Sequence, residues 1–185
     1  MRNLIFGINI TLDGCCDHTK GYPNEELHEY FTDIMQEADL VVYGRKTYEL
    51  MVPFWPNVAR NKSGGTKAMN DFAQKFDVIN KLVFSRSLSS VEDKNTRIAS
   101  TGLREEILKL KQEEGKKIMT GGVDLPSQLI ELGLVDEYVF VIHPLVAGEG
   151  RRLPDTGKLQ QQLRLSLVES KVFESGHVAL RYLKE

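Results

Sequence analysis

The chain has only two cysteines among 185 residues, and they are neighbours, Cys15 and Cys16. Adjacent cysteines rarely meet disulfide geometry across one peptide bond. The paired framework of a small secreted domain is therefore missing. No stretch approaches the roughly 20 apolar residues that a membrane-spanning helix needs. The opening MRNLIFGINI is too short an apolar run for a secretory leader and lacks a small-residue cleavage site. Nor is there a surplus of positive charge. Lys and Arg number 24 against 26 Asp and Glu, a formal charge of −2. That balance argues against general nucleic-acid binding, which wants a basic excess, but it allows a local cationic pocket for one phosphate group. The GxGxxG dinucleotide fingerprint is absent, as is a zinc pattern such as His with Cys-x-x-Cys. No repeat, low-complexity tract or linker stands out. These absences lead to the expectation of a cytoplasmic protein, one domain over residues 1–185, with no membrane or nucleic-acid partner.

What is present is an alternation of strands and helices. NLIFGINI (3–10) reads as a strand, followed by an Asp13-Gly14 turn and a loop over 15–24. In residues 25–37 the apolar side chains Leu27, Tyr30, Phe31, Ile34 and Met35 recur at helical spacing behind Asn24, a plausible N-cap. ADLVVYG (38–44) is a short apolar strand of the kind covered on both faces. Pro53, Pro56 and Gly64-Gly65 predict a loop over 53–65, and 66–76 predicts a helix. NKLVFS (80–85) reads as a strand and TRIAS (96–100) as a short one. An amphipathic helix then runs to Gly115, KKIMT (116–120) is a strand, and a glycine turn leads into a helix with Pro126 in its first turn. A long strand spans 134–146, and 163–184 predicts two strands joined at Glu174-Ser175-Gly176. This order implies an α/β domain with a mostly parallel sheet and an antiparallel C-terminal edge.

Ligands of open α/β sheets collect outside the carboxyl ends of the strands. Three such ends carry anion chemistry. Gly44-Arg45-Lys46-Thr47 joins a strand to a helix start, where unpaired N–H groups, a guanidinium fork and a hydroxyl suit phosphate. An ordinary glycine bend before a solvated first turn reads the same way. Ser85-Arg86 follows LVF and offers a hydroxyl and a guanidinium, or simply a polar loop start. Gly121-Gly122 allows close backbone approach to a pyrophosphate at a helix N-terminus, or tight packing of helix on sheet. Taken together, the three ends predict a phosphorylated dinucleotide.

These stretches carry a family resemblance. GRKTYE (44–49) resembles the Gly-Arg-x-Thr-aromatic motif of dihydrofolate reductases, and LVFSR and MTGG resemble their later nucleotide-binding turns. NITLDG (9–14) and the series GGVDLPSQLIELGLVDEYVFVIHPLVAGEGRRL (121–153) resemble the branch formed by the reductase domain of bacterial riboflavin biosynthesis. The resemblance covers nearly the whole chain. It implies a three-layer α/β/α fold of dihydrofolate reductase type that binds NADPH and is commonly a homodimer. It implies that Gly44, Arg45, Lys46 and Thr47 contact the cofactor phosphates and that Ser85 and Arg86 hold the adenosine 2′-phosphate region. Gly121, Gly122 and Val123 would line the pyrophosphate, with Ile8 and Asn9 near the nicotinamide.

The activity so implied is hydride transfer to a small heterocyclic or ribosylaminopyrimidine substrate. The sequence departs from the folate-reducing pattern, because neither Glu25 nor Glu26 falls on the carboxylate position early in the first helix and His28 lies closer to it. Thr120 stands where the riboflavin branch often has glutamate. Asp13 and Glu26 are the catalytic candidates, against a plain Asp-Gly turn and a favourable first-turn charge. Asp13 and Trp55 are the substrate-side candidates. Trp55 would cap a flat ring or anchor its loop, and His28 reads as a helix-surface residue. Arg151 and Arg152 would meet a substrate phosphate or solvent. Two other classes stay open: a catalytically silent nucleotide-binding dimer, and a partner-binding dimer built on 135–146 and the C-terminal strands.

Overall fold

The computed structural model describes residues 1–153 and 162–185. In chain order its elements are β1 (Leu4–Thr11), α1 (Glu25–Gln36), β2 (Ala38–Gly44), α2 (Arg45–Met51), α3 (Trp55–Asn61), α4 (Lys67–Val78), β3 (Asn80–Phe84), β4 (Thr96–Ile98), α5 (Leu103–Gln112), β5 (Lys117–Thr120), α6 (Asp124–Glu131), β6 (Glu137–His143), β7 (Leu165–Val172) and β8 (Val178–Lys184). The strands order as β4-β3-β2-β5-β1-β6-β8-β7. The sheet is mostly parallel with antiparallel C-terminal strands, as the alternation of elements predicted. The chain forms two compact units, residues 1–2 with 23–119, and residues 3–22 with 120–185.

In the first unit, β2, β3 and β4 pair in parallel. Helix α1 starts where Asn24 accepts a hydrogen bond from the Leu27 backbone N–H at 3.0 Å, satisfying one of the donors that a helix start leaves open. Its buried face is Leu27, Tyr30, Ile34 and Met35, at the spacing that a 3.6-residue repeat requires. Helix α4 buries Ala68, Phe72, Ala73 and Phe76, and Phe76 stacks on Tyr43 of β2.

The loop expected over 53–65 is in part a helix, α3. Pro56 lies in its first turn, where the missing N–H would have had no partner and the fixed φ suits a helix. The helix closes at Lys62 in the left-handed region, with φ 49°. Beyond it, Asn70 clamps Gly64 by accepting from its N–H and donating to its carbonyl, both at 3.0 Å.

In the second unit β1 runs parallel to β6, from Ile5 opposite Glu137 to Thr11 opposite His143. Strand β8 lies antiparallel between β6 and β7. A bulge between Leu167 and Glu169 shifts the β7 register, a common way to blunt a sheet edge. Leu167, Val168 and Val172 on that edge are solvent-exposed. The turn into β8 uses Gly176 at φ 81°, a conformation that favours glycine.

Two fully buried imidazoles close this unit. His143 Nδ1 and His177 Nε2 are 3.1 Å apart, and His177 Nδ1 is 2.9 Å from the Ser175 hydroxyl. Tyr22 packs edge-on against both rings. Burial, reinforced by the His177 charge, pushes the His143 pKa down to about 4. A histidine whose folded pKa lies below its unfolded value of about 6.5 is neutral in the fold. Its contribution is fully present above pH ~6.5 and is lost as pH falls toward 4, by an amount on the order of 2–3 kcal/mol. Urea unfolding at neutral pH and near pH 4.5 should show that loss in the wild type. His143→Leu should show a shallower loss, and an equal slope in both proteins would refute the assignment.

Candidate functional site

The register of β2 on β3 places Gly44 opposite Phe84. Gly44-Arg45 and Ser85-Arg86 therefore leave two neighbouring parallel strands at the same end. Gly44 has ordinary extended angles, φ −79° and ψ 161°, so the turn itself does not demand glycine. The residue leads directly into the first turn of α2. That turn has no side-chain cap and no acidic residue, while its first two positions are Arg45 and Lys46. Cations at a helix N-terminus are opposed by the macrodipole, and an anion there would relieve the conflict.

The two arginines differ in a way that the sequence did not reveal. Arg45 Nη1 donates to both carboxylate oxygens of Glu49, at 2.8 and 3.1 Å. Arg86 is exposed and has no ion-pair partner among the described residues. Ser85 Oγ accepts from the Ser87 and Leu88 backbone N–H groups at 3.1 and 2.9 Å. It shapes the turn that presents Arg86 and keeps its own O–H free to donate outward. Thr47 is half-buried and Lys46 exposed.

In the second unit Gly122 takes φ 88°, a left-handed conformation, between β5 and α6. Val123 stands at the N-cap of α6 without a capping side chain. Asp124 in the first turn forms an ion pair with Arg151, 2.5 Å from Oδ1. Ile8 is buried and Asn9 exposed at the middle of β1.

Asp13 holds the loop over 147–152. Its carboxylate accepts from the Thr11 hydroxyl, from the Ala147 and Gly148 N–H groups at 3.0 Å each, and from Arg152 Nη2 at 3.0 Å. Arg152 Nε also donates to the Asp13 carbonyl at 2.9 Å. The Thr11 hydroxyl first, then the Ala147 N–H, hold the Asp13 carboxyl well below the usual carboxylate range. It is ionised at neutral pH and engaged on every side. Beside it, Cys16 Sγ is 3.2 Å from the Arg151 carbonyl, and burial pushes its thiol pKa up, away from nucleophile character.

Glu26 is half-buried in the first turn of α1. Trp55 starts α3, with ring centroids 4.5 Å from Phe72, 4.9 Å from Phe54 and 5.7 Å from His28. His28 is the residue that the sequence reading set aside. Its spacing to Phe31 and Met35, three and seven residues on, puts it on the border of the apolar stripe and was the available signal. Among the described residues there is no cluster of three metal-ligating side chains, and no helix is long and apolar enough to cross a membrane.

Comparison with known proteins agrees with this architecture. The model of the RibD C-terminal domain matches residues 2–179. The uncharacterized protein YyaP of Bacillus subtilis (strain 168) is 32% identical over 185 residues, covering 98% of this chain and 94% of YyaP. Among solved structures, a Shewanella sp. PV-4 protein provisionally assigned to riboflavin biosynthesis superposes with a TM-score of 0.73 at 20% identity, over 100% of this chain and 99% of the other. A deaminase and 5-amino-6-(5-phosphoribosylamino)uracil reductase from Thermotoga maritima gives 0.68 at 13% identity, over all of this chain and 57% of its own. At those identities the two structures establish the shared fold. The match over nearly the whole length, with the strand order and the glycine and arginine turns already described, shows that the chain belongs to the RibD C-terminal domain family, within the dihydrofolate reductase-like fold.

Proposed function

We propose that the protein is an NADPH-dependent reductase of a small heterocyclic substrate of the ribosylaminopyrimidine type. The observation that carries this reading is the cationic, uncapped first turn of α2 beside the exposed, unpaired Arg86. That donor set suits the extra phosphate of NADPH. Gly44, Arg45, Lys46 and Thr47 would hold cofactor phosphate. Ser85 and Arg86 would hold the 2′-phosphate, and Gly121, Gly122 and Val123 the pyrophosphate, with Ile8 and Asn9 toward the nicotinamide. NADPH, when bound, supplies the hydride.

The chain's own residues orient the partners. Asp13 acts as a positioning residue, since its ionised carboxylate fixes the loop over 147–152. Arg151 neutralises Asp124, whose negative charge in the first turn of α6 would otherwise repel a pyrophosphate. Trp55 is the proposed substrate-side aromatic, and Glu26 the remaining carboxylate candidate for proton delivery. The exposed apolar residues of β7 fit a homodimer, which sedimentation tests.

The proposal predicts saturable NADPH binding and loss of nicotinamide absorbance with at least one of a panel of pterins and ribosylaminouracils. The engagement of Asp13 by four donors favours a second reading, a nucleotide-binding protein without turnover. That reading predicts tight NADPH binding with no oxidation across the panel.

A further inference from the structure

Where solvent is shut out, an imidazole can take up a second proton only if something moves. The hydrogen-bonded row of Ser175, His177 and His143 uses three of the four ring nitrogens. The fourth, His143 Nε2, is sealed from solvent and has no hydrogen-bond partner among the described residues, an uncommon state for a buried polar atom. Gly21 lies against it. A side-chain carbon at Gly21 would stand 3.1 Å from His143 Cε1 and 3.4 Å from Nε2, so glycine lets the backbone close on this edge of the ring. Tyr22 packs edge-on against His143 at 5.8 Å and His177 at 5.4 Å. The neighbours bring no compensating negative charge. His177 faces His143 from the turn before β8, Tyr22 from the segment after β1, and the neutral Thr11 pairs with it from β1. Among the described residues no carboxylate is bonded to His143, and the one charge acting on it is that of His177.

We propose that the His143–His177 pair is an acid-operated latch on the segment over residues 15–22, such that a proton taken up by the pair releases Gly21 and Tyr22 while the sheet stays folded. A charged imidazole carries N–H on both nitrogens. On His143 the Nε2–H would then bear charge in a dry site, and water reaches it once Gly21 and Tyr22 lift. What gives way follows from how each neighbour is held. Strand β6 is paired on both sides, by β1 and β8. The turn over 173–177 is closed by the Phe173 N–H donating to the His177 carbonyl at 2.9 Å and the Gly176 N–H donating to the Phe173 carbonyl at 3.0 Å. Apart from the Cys15 bridge to Arg152, the segment 15–22 has no strand or helix. Its Lys20–Glu149 ion pair is exposed, a kind of pair that contributes little. The latch needs neither cofactor nor substrate and stands apart from the reductase reading.

Cys15 reports the opening, because it lies on the latched segment and is buried against Gly150. In the full chain carrying Cys16→Ser it is the single thiol. Its rate of reaction with 4,4′-dithiodipyridine is divided by that of the urea-unfolded chain at the same pH. The closed latch holds the His143 pKa at about 4, and an open one returns it to about 6.5. The closed form is therefore favoured above pH ~6.5, and opening gains as pH falls toward 4. Between pH 7 and pH 4.5 the rate ratio should rise about 50-fold. The rise should be nearly independent of urea below the unfolding transition, since a local opening exposes little surface. His143→Gln keeps a donor and an acceptor but does not titrate, and should hold the ratio within about threefold. The pH and urea readings on the His143-containing protein stand whether or not that variant folds. A ratio that does not change with pH, an equal rise in folded His143→Gln, or a rise whose urea dependence matches global unfolding would overturn the latch.

Discussion

Replacing Arg86 with alanine should weaken NADPH binding about 10- to 100-fold and leave NADH binding nearly unchanged. The magnitude is that of one charge-assisted hydrogen-bonded contact to phosphate, about 1.5–3 kcal/mol. The selectivity follows from chemistry, because only NADPH carries the 2′-phosphate. Arg45→Ala should have a smaller effect on the discrimination, since the Arg45 guanidinium already spends two hydrogen bonds on Glu49. The pair thereby separates two roles that look equivalent in the sequence, where both residues are simply arginines at strand ends. Isothermal titration of each variant with both cofactors checks the ranking. Equal losses for NADPH and NADH in Arg86→Ala would mean that the 2′-phosphate is held elsewhere.

The second large effect concerns stability. Arg181 of β8 is ion-paired with Glu137 of β6, and their side chains are 13% and 3% exposed. Glu169 of β7 lies at the limit of ion pairing, 3.9 Å from Arg181. Arg181→Ala would remove the Arg181 cation from beside the buried Glu137 carboxylate, a change of about 3–5 kcal/mol. Replacing both residues by apolar ones of similar volume, as in Glu137→Leu with Arg181→Met, should recover most of that loss, because neither charge then needs solvation. Urea unfolding of the single and double variants measures both. A loss below about 1 kcal/mol in Arg181→Ala would contradict a buried, mutually dependent pair.

Much of the architecture was legible because it is local. Asn24 ahead of a helical stripe announced α1, and ADLVVYG matched β2 from end to end. Local rules also produced the main error. Pro53, Pro56 and two glycines suggested a loop, yet Pro56 fell in the one helical turn that tolerates proline.

The contacts that define the candidate site were harder to see because they join residues far apart in the chain. Asp13 and Arg152 are 139 positions apart, and no periodicity links them. Asp13 therefore read as a free carboxylate or a simple turn, when it is the clasp of a distant loop. Lys81 is similar. It sits within the apolar strand β3 and is buried because its ammonium reaches Asp93 at 3.3 Å and the Ile79 carbonyl at 3.0 Å. His28 was passed over because a histidine on a helix border has no distinguishing pattern until Trp55 and Phe72 are placed against it.

A reductase of the proposed kind must bind a phosphorylated nicotinamide cofactor. The most direct test is a titration of the full chain with NADPH and, separately, NADH, followed by nicotinamide fluorescence. Saturation by NADPH at micromolar concentration, at least about tenfold tighter than NADH, is the predicted result. No saturation at millimolar NADPH, or equal affinity for both cofactors, would contradict it.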